Sequence, residues 1–323
     1  MVNYKVQAQA LKNAIDASER VLVVSHRKPD ADTLGSSCAW IHFLRPKGKH
    51  VTAFCVDAVP GSLQHIPGVH EFTTDDTVFD EPYDVIIMND AASLDYAGID
   101  KLILRVDRDR TTLINIDHHA TNPLFGDINL VIPDASSTTE VLTRLFRHWG
   151  ETITKPIAES LMNGLVTDTD KLMNPATNYN SFAIASHLIQ AGADLYDIIG
   201  RTLRRKSLTE LRIWGLALSR LKCNPTYNSV ATYITERDLA EHAVDHEAIE
   251  GIVNYLTLIP DVDIIMFLRV HNDGTIKGSL RSVKPHVDVS KLAIRFGGGG
   301  HRKAAGFTIR GTFLAHDTGW TIS

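Results

Sequence analysis

Four short runs rich in β-branched residues recur along the first part of the chain: VLVVS at 21–25, VTAFCV at 51–56, DVIIM at 84–88 and TLINI at 112–116. Runs of this length with no polar alternation suit strands buried on both faces, as in a parallel sheet covered by helices. Each run gives way to polar residues, and a parallel sheet brings such residues to one edge, where α/β proteins bind their ligands. The chain is thereby held to an α/β fold with its chemistry at the carboxyl ends of the strands.

The intervening segments fit that frame. Helical periodicity at 6–19 precedes the first run, and further helical patterns cover 138–149, 155–167 and 179–191, with Ala191-Gly192-Ala193 as a stop signal. A basic helical stretch with Arg201, Arg204, Arg205, Lys206 and Arg212 follows. Beyond it, 229–235, 263–270 and 275–281 read as strands, the last two joined by the hairpin signal Asn272-Asp273-Gly274. With 323 residues there is room for two domains of roughly 100 to 200 residues. The expected division is a parallel-sheet domain over 1–196, a helical linker over 197–222 and a smaller α/β domain over 223–323.

Composition narrows the function. Thirty-three Lys and Arg against 38 Asp and Glu give a net charge of −5, the wrong sign for a protein held on long duplex nucleic acid. Cys38, Cys55 and Cys223 are scattered, with no C-x-x-C pair for a thiolate zinc or redox site. No apolar run approaches the ~18 residues of a membrane span, and residues 1–12 lack the apolar core of a signal peptide. The expectation is a cytoplasmic chain with no membrane partner.

The informative residues are Asp and His just past the strand ends. His26, Asp30 and Asp32 lie in HRKPDAD after the first run; Asp90 follows the third; Asp117, His118 and His119 follow the fourth; Asp168 closes SLMNGLVTD. A single Asp after a strand is commonly a helix cap, and an isolated His such as His65 or His148 is commonly a surface or packing residue. That plain reading is given to every histidine outside the clusters except His301. Capping does not call for adjacent histidines, however, and four such clusters in one order point to metal. Carboxylates with imidazoles and no thiolate suit two divalent ions of the Mn²⁺ or Fe²⁺ type; Co²⁺ is a further candidate, and Mg²⁺ alone would use fewer histidines. Two such ions ~3.5 to 4 Å apart share a carboxylate, lower the pKa of a bridging water and neutralise charge on a phosphoryl group.

In this order H-x-x-x-D-x-D, Asp, Asp-His-His and D-T-D resemble the DHH phosphoesterase superfamily. Downstream, 278–282 (GSLRS) and 297–306 (GGGGHRKAAG) resemble its accessory DHHA1 domain. The length and layout are most similar to the NrnA-type branch of nano-RNases and 3′-phosphoadenosine 5′-phosphate phosphatases. The resemblance implies that His26, Asp30 and Asp90 hold one metal and Asp32, Asp90, His118 and Asp168 the other, with Asp90 shared. Asp117 would support the site, and His119 would face the substrate phosphate as donor or general acid. Arg281, Ser282, Gly298, Gly299, Gly300, His301 and Lys303 would bind a short substrate lying between the domains, the glycines by their backbone N–H groups.

The favoured expectation is a two-Mn²⁺ phosphoesterase that cleaves short oligoribonucleotides, linear dinucleotides or 3′-phosphoadenosine 5′-phosphate through a metal-bridging hydroxide. Its rivals are a RecJ-like single-strand exonuclease, a cyclic-dinucleotide phosphodiesterase, and a nucleotide-binding regulatory module without turnover. An inorganic pyrophosphatase is disfavoured by the GGGGH segment. A homodimer is expected from the amphipathic pattern at 153–165. One departure stands out: where the family usually has Asp-Thr-Gly, this chain has Asp168-Thr169-Asp170, followed by Lys171. The extra carboxylate is expected to add a ligand, pair with Lys171, repel an anionic substrate or do none of these.

Overall fold

Strand β1 (Arg20–Ser25) shows why the apolar runs become central strands: its side chains alternate into two separate cores. Val21 and Val23 pack on one face with Trp40, Phe43 and Phe146, while Leu22 and Val24 meet Phe54 and Phe79 on the other. Burial of one such side chain contributes ~1.5 to 3 kcal/mol, so a polar residue anywhere in the run is costly. The computed structural model describes residues 4–174, 176–203, 207–316 and 319–323. Arg204, Arg205 and Lys206 of the basic stretch lie outside them. Met1–Arg205 and Lys206–Ser323 form two compact units, and the division falls inside the stretch 197–222.

In the first unit α1 (Tyr4–Ala17) precedes β1; then come α2 (Ala31–Leu44), β2 (His50–Cys55), β3 (Phe72–Thr73), β4 (Val85–Asn89), α3 (Leu94–Ala97), β5 (Thr112–Asp117) and β6 (Ile128–Val131). Helices α4 (Thr138–His148), α5 (Lys155–Asp168), α6 (Tyr179–Gln190) and α7 (Leu195–Leu203) follow. The sheet has the order β3-β2-β1-β4-β5-β6 with every pair parallel. Strands β1, β2, β4 and β5 match the four apolar runs. In such an order the connections leave β1 and β4 in opposite directions, opening a crevice beyond their carboxyl ends where ligands bind.

Helix α2 starts beside that crevice and packs on one face of the sheet. Thirteen of its 14 residues are buried, so it is a core helix rather than a surface one. It lies backbone-to-backbone on α5, because Gly35 and Gly164 carry no side chain. A Cβ on Gly35 would stand 2.4 Å from the Ser160 carbonyl oxygen, and one on Gly164 would stand 2.5 Å from Asp32 Oδ1 and from Thr139 Cγ2. Neither space exists, so the two helices approach as closely as their backbones allow.

The second unit contains α8 (Leu208–Ser219), β7 (Lys222–Asn224), β8 (Ser229–Thr235), α9 (Glu236–Glu241), α10 (Ile252–Tyr255), β9 (Ile264–Val270), β10 (Thr275–Arg281) and α11 (Val289–Arg295). It ends in β11 (Gly299–His301), β12 (Ala304–Arg310), β13 (Phe313–His316) and β14 (Gly319–Ile322). Six of these strands form a mixed sheet, β11-β12-β10-β9-β8-β7, in which β8 and β9 are the one parallel pair among the described strands. The expected hairpin joins β9 to β10, with Gly274 at φ +79°. No helix among the described residues is long and apolar enough to cross a membrane.

Candidate metal centre

His26 and Asp90 flank the crevice, the first after β1 and the second after β4. His26 is 3% exposed, and its Nδ1 lies 2.8 Å from the Arg27 carbonyl. A carbonyl only accepts, so Nδ1 carries the hydrogen and Nε2 is left to face Asp30 Oδ2 at 3.7 Å and Asp90 Oδ2 at 3.6 Å. His118, after β5, repeats the device: Nδ1 donates to the Ala135 carbonyl at 3.2 Å, and Nε2 faces Asp90 Oδ1 at 3.6 Å and Asp168 Oδ2 at 3.3 Å. Two oxygens of one carboxylate thus look at two different imidazoles.

The carboxylates are held by backbone. Asp30 caps α2, with Oδ1 accepting from the N–H groups of Asp32 and Thr33, while Oδ2 is the atom turned to His26. Asp32, fully buried, accepts at Oδ2 from Thr138 N at 2.6 Å and at Oδ1 from Thr139 N and Oγ1 at 3.0 and 2.8 Å. The first turn of α4 therefore fixes a carboxylate that belongs to α2. Asp90 sits at φ +58°, a left-handed conformation that Asp tolerates better than most residues; its N–H donates to the Ile116 carbonyl and its Oδ1 accepts from Thr138 Oγ1. Asp168 ends α5.

The ligand atoms form groups within 4.8 Å: His26, Asp30 and Asp90; Asp32, His118 and Asp168; and Asp90, His118 and His119. The sequence-derived residues of the first unit are thus brought to one place. Their electrostatics describe a centre with too little positive charge. Burial, then the charges of Asp90 and Asp30, push Asp32 well above the carboxylate range; burial, then Asp32, Asp90 and Asp30, does the same to Asp168. Burial works against the charged form of His26, but hydrogen bonds to Asp30 and Asp90 outweigh it and raise the imidazole to about 11. Burial works the other way on Asp30, and its bond to His26 holds it low. Four carboxylates with imidazoles and no thiolate fit two divalent cations, whose combined charge of four matches that of the carboxylates.

Asp117 stands behind this set. It is fully buried and accepts from the N–H groups of His118 and His119, from His119 Nδ1 at 2.8 Å and from Asn122 Nδ2 at 2.6 Å. The bond from Asp117 raises His119 to about 9 against the opposing effect of burial, and Asp117, despite its own burial, is held low by the same bond. Beside His119 opens a cavity of about 830 Å³ whose lining includes Asn122, Tyr4, Arg144, Arg147 and His148. Asn122, Thr138 and Thr139 carry no signal in a one-dimensional reading, since Thr139 meets Asp32 across 107 positions. The S-S-T-T run at 136–139, which leads into α4, is the one hint, as a helix start.

Asp170 departs from Asp-Thr-Gly at a position where the backbone favours glycine. Asp170, Lys171 and Leu172 have φ of +46°, +64° and +64°, the region in which glycine is at ease. Asp170 pairs with Lys171, the second of the expected outcomes.

The second-unit residues divide. Arg281 ends β10, with Nε donating to Asn254 Oδ1 at 2.9 Å and no carboxylate in ion-pair contact among the described residues; burial lowers its pKa. Ser282 is buried, and its Oγ accepts from Lys284 N. His301 is exposed at the end of β11. The Gly298 N–H is committed to the Ala293 carbonyl, so it is not a free donor for an anion. A Cβ on Gly298 would lie 2.1 Å from the Gly306 carbonyl oxygen and one on Gly300 2.7 Å from that of Ala304. Gly299 and Gly300 pair with β12, so these glycines permit a tight hairpin. Lys303 gives its ammonium to the carbonyls of Lys284 and Val287, taking up two of its three protons within the unit.

A parallel sheet whose carboxyl edge gathers imidazoles and carboxylates in two groups around one Asp defines a metal-dependent phosphoesterase. Residues 20–165 match the DHH family, N-terminal domain, and residues 227–315 match the DHHA1 domain. The chain belongs to the DHH/DHHA1 phosphoesterase superfamily and is a hydrolase of that kind. It is 27% identical to the bifunctional oligoribonuclease and PAP phosphatase NrnA of Thermus thermophilus, across 91% of this chain and 85% of that protein. The protein of the same description from Bacillus subtilis is 24% identical, across 93% and 92%. Among solved structures, an exopolyphosphatase-related protein from Bacteroides fragilis superposes with a TM-score of 0.89 at 30% identity, across 96% and 93% of the two chains.

Proposed function

We propose that this chain is a Mn²⁺-dependent phosphoesterase of short oligoribonucleotides and linear dinucleotides that also removes the 3′-phosphate of 3′-phosphoadenosine 5′-phosphate. The observation that carries the reading is Asp90, whose Oδ2 faces His26 at 3.6 Å while its Oδ1 faces His118 at 3.6 Å. The names of the Thermus and Bacillus relatives supply the substrate class. His26, Asp30 and Asp90 would hold one ion and Asp32, Asp90, His118 and Asp168 the other. When bound, two such ions acidify a water and neutralise charge gathering on the phosphoryl oxygens.

The protein's own groups supply the rest. Asp117, accepting from His119 Nδ1, sets the ring so that Nε2 holds the transferable proton; as the P–O bond breaks, that proton goes to the leaving oxygen. Arg281, held by Asn254 and unpaired by any carboxylate among the described residues, would take a substrate phosphate, with Ser282, Gly299, Gly300 and His301 beside it.

A gel assay with 5′-labelled RNA of two, five and twenty-four nucleotides, run with Mn²⁺ and with chelator, tests the reading. Preferential, chelator-sensitive loss of the dimer is expected, together with release of phosphate from 3′-phosphoadenosine 5′-phosphate in a parallel reaction. Rapid shortening of the twenty-four-mer with the dimer spared would overturn it in favour of a RecJ-like exonuclease.

A further inference from the structure

In the second unit, the parallel pair β8 and β9 brings two potential ligands together at its own carboxyl edge. Thr235 and Val270 are opposite in register at the ends of these strands, so Glu236 and His271 emerge side by side, one residue beyond. His271 Nδ1 lies 2.6 Å from Glu236 Oε1. A third group arrives from the 3-10 turn at His246–Ile249: His246 Nε2 is 3.2 Å from the same oxygen. The two imidazole rings are 5.3 Å apart and tilted by 38°. We propose that Glu236, His246 and His271 form a separate zinc-binding site, a three-ligand carboxylate–bis-imidazole centre with its fourth position open to solvent.

The chemistry favours this over a plain ion pair. Two histidines and one glutamate are a ligand set used by zinc, and a tetrahedral ion with bonds of about 2.1 Å spaces its donors by about 3.4 Å. The three ligand atoms already lie within 4.8 Å of one another. His271 is fixed for the role by its backbone, whose N–H donates to the Thr275 carbonyl across the hairpin at 2.8 Å. The remaining ring atom, Nε2, is buried with no hydrogen-bond partner among the described residues, so Nδ1 and its contact with Glu236 set the ring's orientation. Glu236 is equally fixed, at the start of α9, where Thr235 and Asp238 form a capping box. His246 is 47% exposed on its side chain, which gives an ion a route in and leaves room for a water as fourth ligand. Two of the three ligands are imidazoles, so an ion of the Zn²⁺ type is selected over the oxygen-seeking Mg²⁺ or Ca²⁺. The ion would staple the ends of β8 and β9 to the turn that carries His246.

The test is made in the full-length protein with the first-unit centre disabled by D90N and H118A together, so that its outcome does not depend on the proposed hydrolytic function. After equilibration with Zn²⁺ at low free concentration and desalting, metal analysis of this protein is expected to give one zinc per chain; adding H246A removes it. Zn²⁺ raises the thermal midpoint of the first protein by roughly 3 °C or more and does not move that of the second. Because His246 is exposed, its removal leaves the metal-free midpoint in place, and E236Q gives a second variant with the same expected loss of zinc. Equal zinc content with and without His246, or no zinc in the D90N/H118A protein, would reduce the cluster to an ion pair and overturn the proposal.

Discussion

The two sheets treat buried carboxylates in opposite ways. In the first unit Asp32, Asp90 and Asp168 converge with Asp30 at a strand edge that supplies imidazoles and, among the described residues, no Lys or Arg partner. In the second, Asp238 is buried too, but Arg220 meets it with two parallel bonds of 2.6 and 2.8 Å, and Thr235 adds its N–H and hydroxyl. Burial pushes the Asp238 carboxyl up, and Arg220 and Thr235 more than reverse that, so it titrates below the usual range. A buried acid completed by the protein's own cation serves the fold, whereas acids left short of cations are a receptor for them.

The sharpest way to break this contrast is Asp90→Asn, which keeps the left-handed backbone and the bond from Thr138 but removes the shared charge. Loss of several kcal/mol of transition-state stabilisation lowers kcat/KM on a short RNA by ~10³-fold or more. Circular dichroism should show the fold intact; activity within tenfold of the parent would sink the two-group reading. The counterpart is Asp238→Ala, which leaves Arg220 without its partner and costs roughly 3 kcal/mol in urea unfolding. Because the folded pKa of Asp238 is depressed, its contribution is fully present above the unfolded value of about 3.9 and is lost as pH falls through the folded value. The variant should therefore show a flatter acid limb in unfolding midpoints measured between about pH 5 and pH 2, and an unchanged limb would refute the pairing as the cause.

Asp117→Asn comes next. It leaves every proposed ligand in place but weakens the hold on His119, so a fall of ~10- to 100-fold in kcat at unchanged metal content is expected from kinetics paired with metal analysis. The smallest effect is assigned to Asp170→Gly: relief of a positive φ should stabilise by up to ~1 kcal/mol, with turnover within about threefold. A larger change in turnover or in metal occupancy would give Asp170 a part in the site.

Much of the first unit was legible because a strand buried on both faces leaves an unbroken β-branched run, as at β1, β4 and β5. The two-residue β3 and the half-buried β6 leave no such mark. The candidate site residues stand out because three of the four clusters share one position relative to the strands, while the fourth, Asp168, ends α5. What could not be read was how they are held: Asp32 is gripped by a helix start 106 positions away, a contact no local pattern encodes. In the second unit the glycine run reads as an anion nest, whereas the Gly298 N–H is spent on the Ala293 carbonyl of α11 and Gly299 and Gly300 lie in register with β12. His246 and His271 looked like isolated histidines because the strand register that brings His271 to Glu236 is invisible in one dimension.

Gly35 and Gly164 leave a last consequence. With α2 and α5 in close contact, the distance between the Asp32 and Asp168 donors is gauged by two missing methyl groups, one at Gly35 that would meet the Ser160 carbonyl and one at Gly164 that would meet the Asp32 carboxylate and the Thr139 side chain. Ions of different radius ask for different bond lengths, from about 2.0 Å for Mg²⁺ to 2.6 Å for Ca²⁺. An alanine at Gly35 would wedge the helices apart and shift which radius is preferred, changing the choice of element while every donor residue stayed the same.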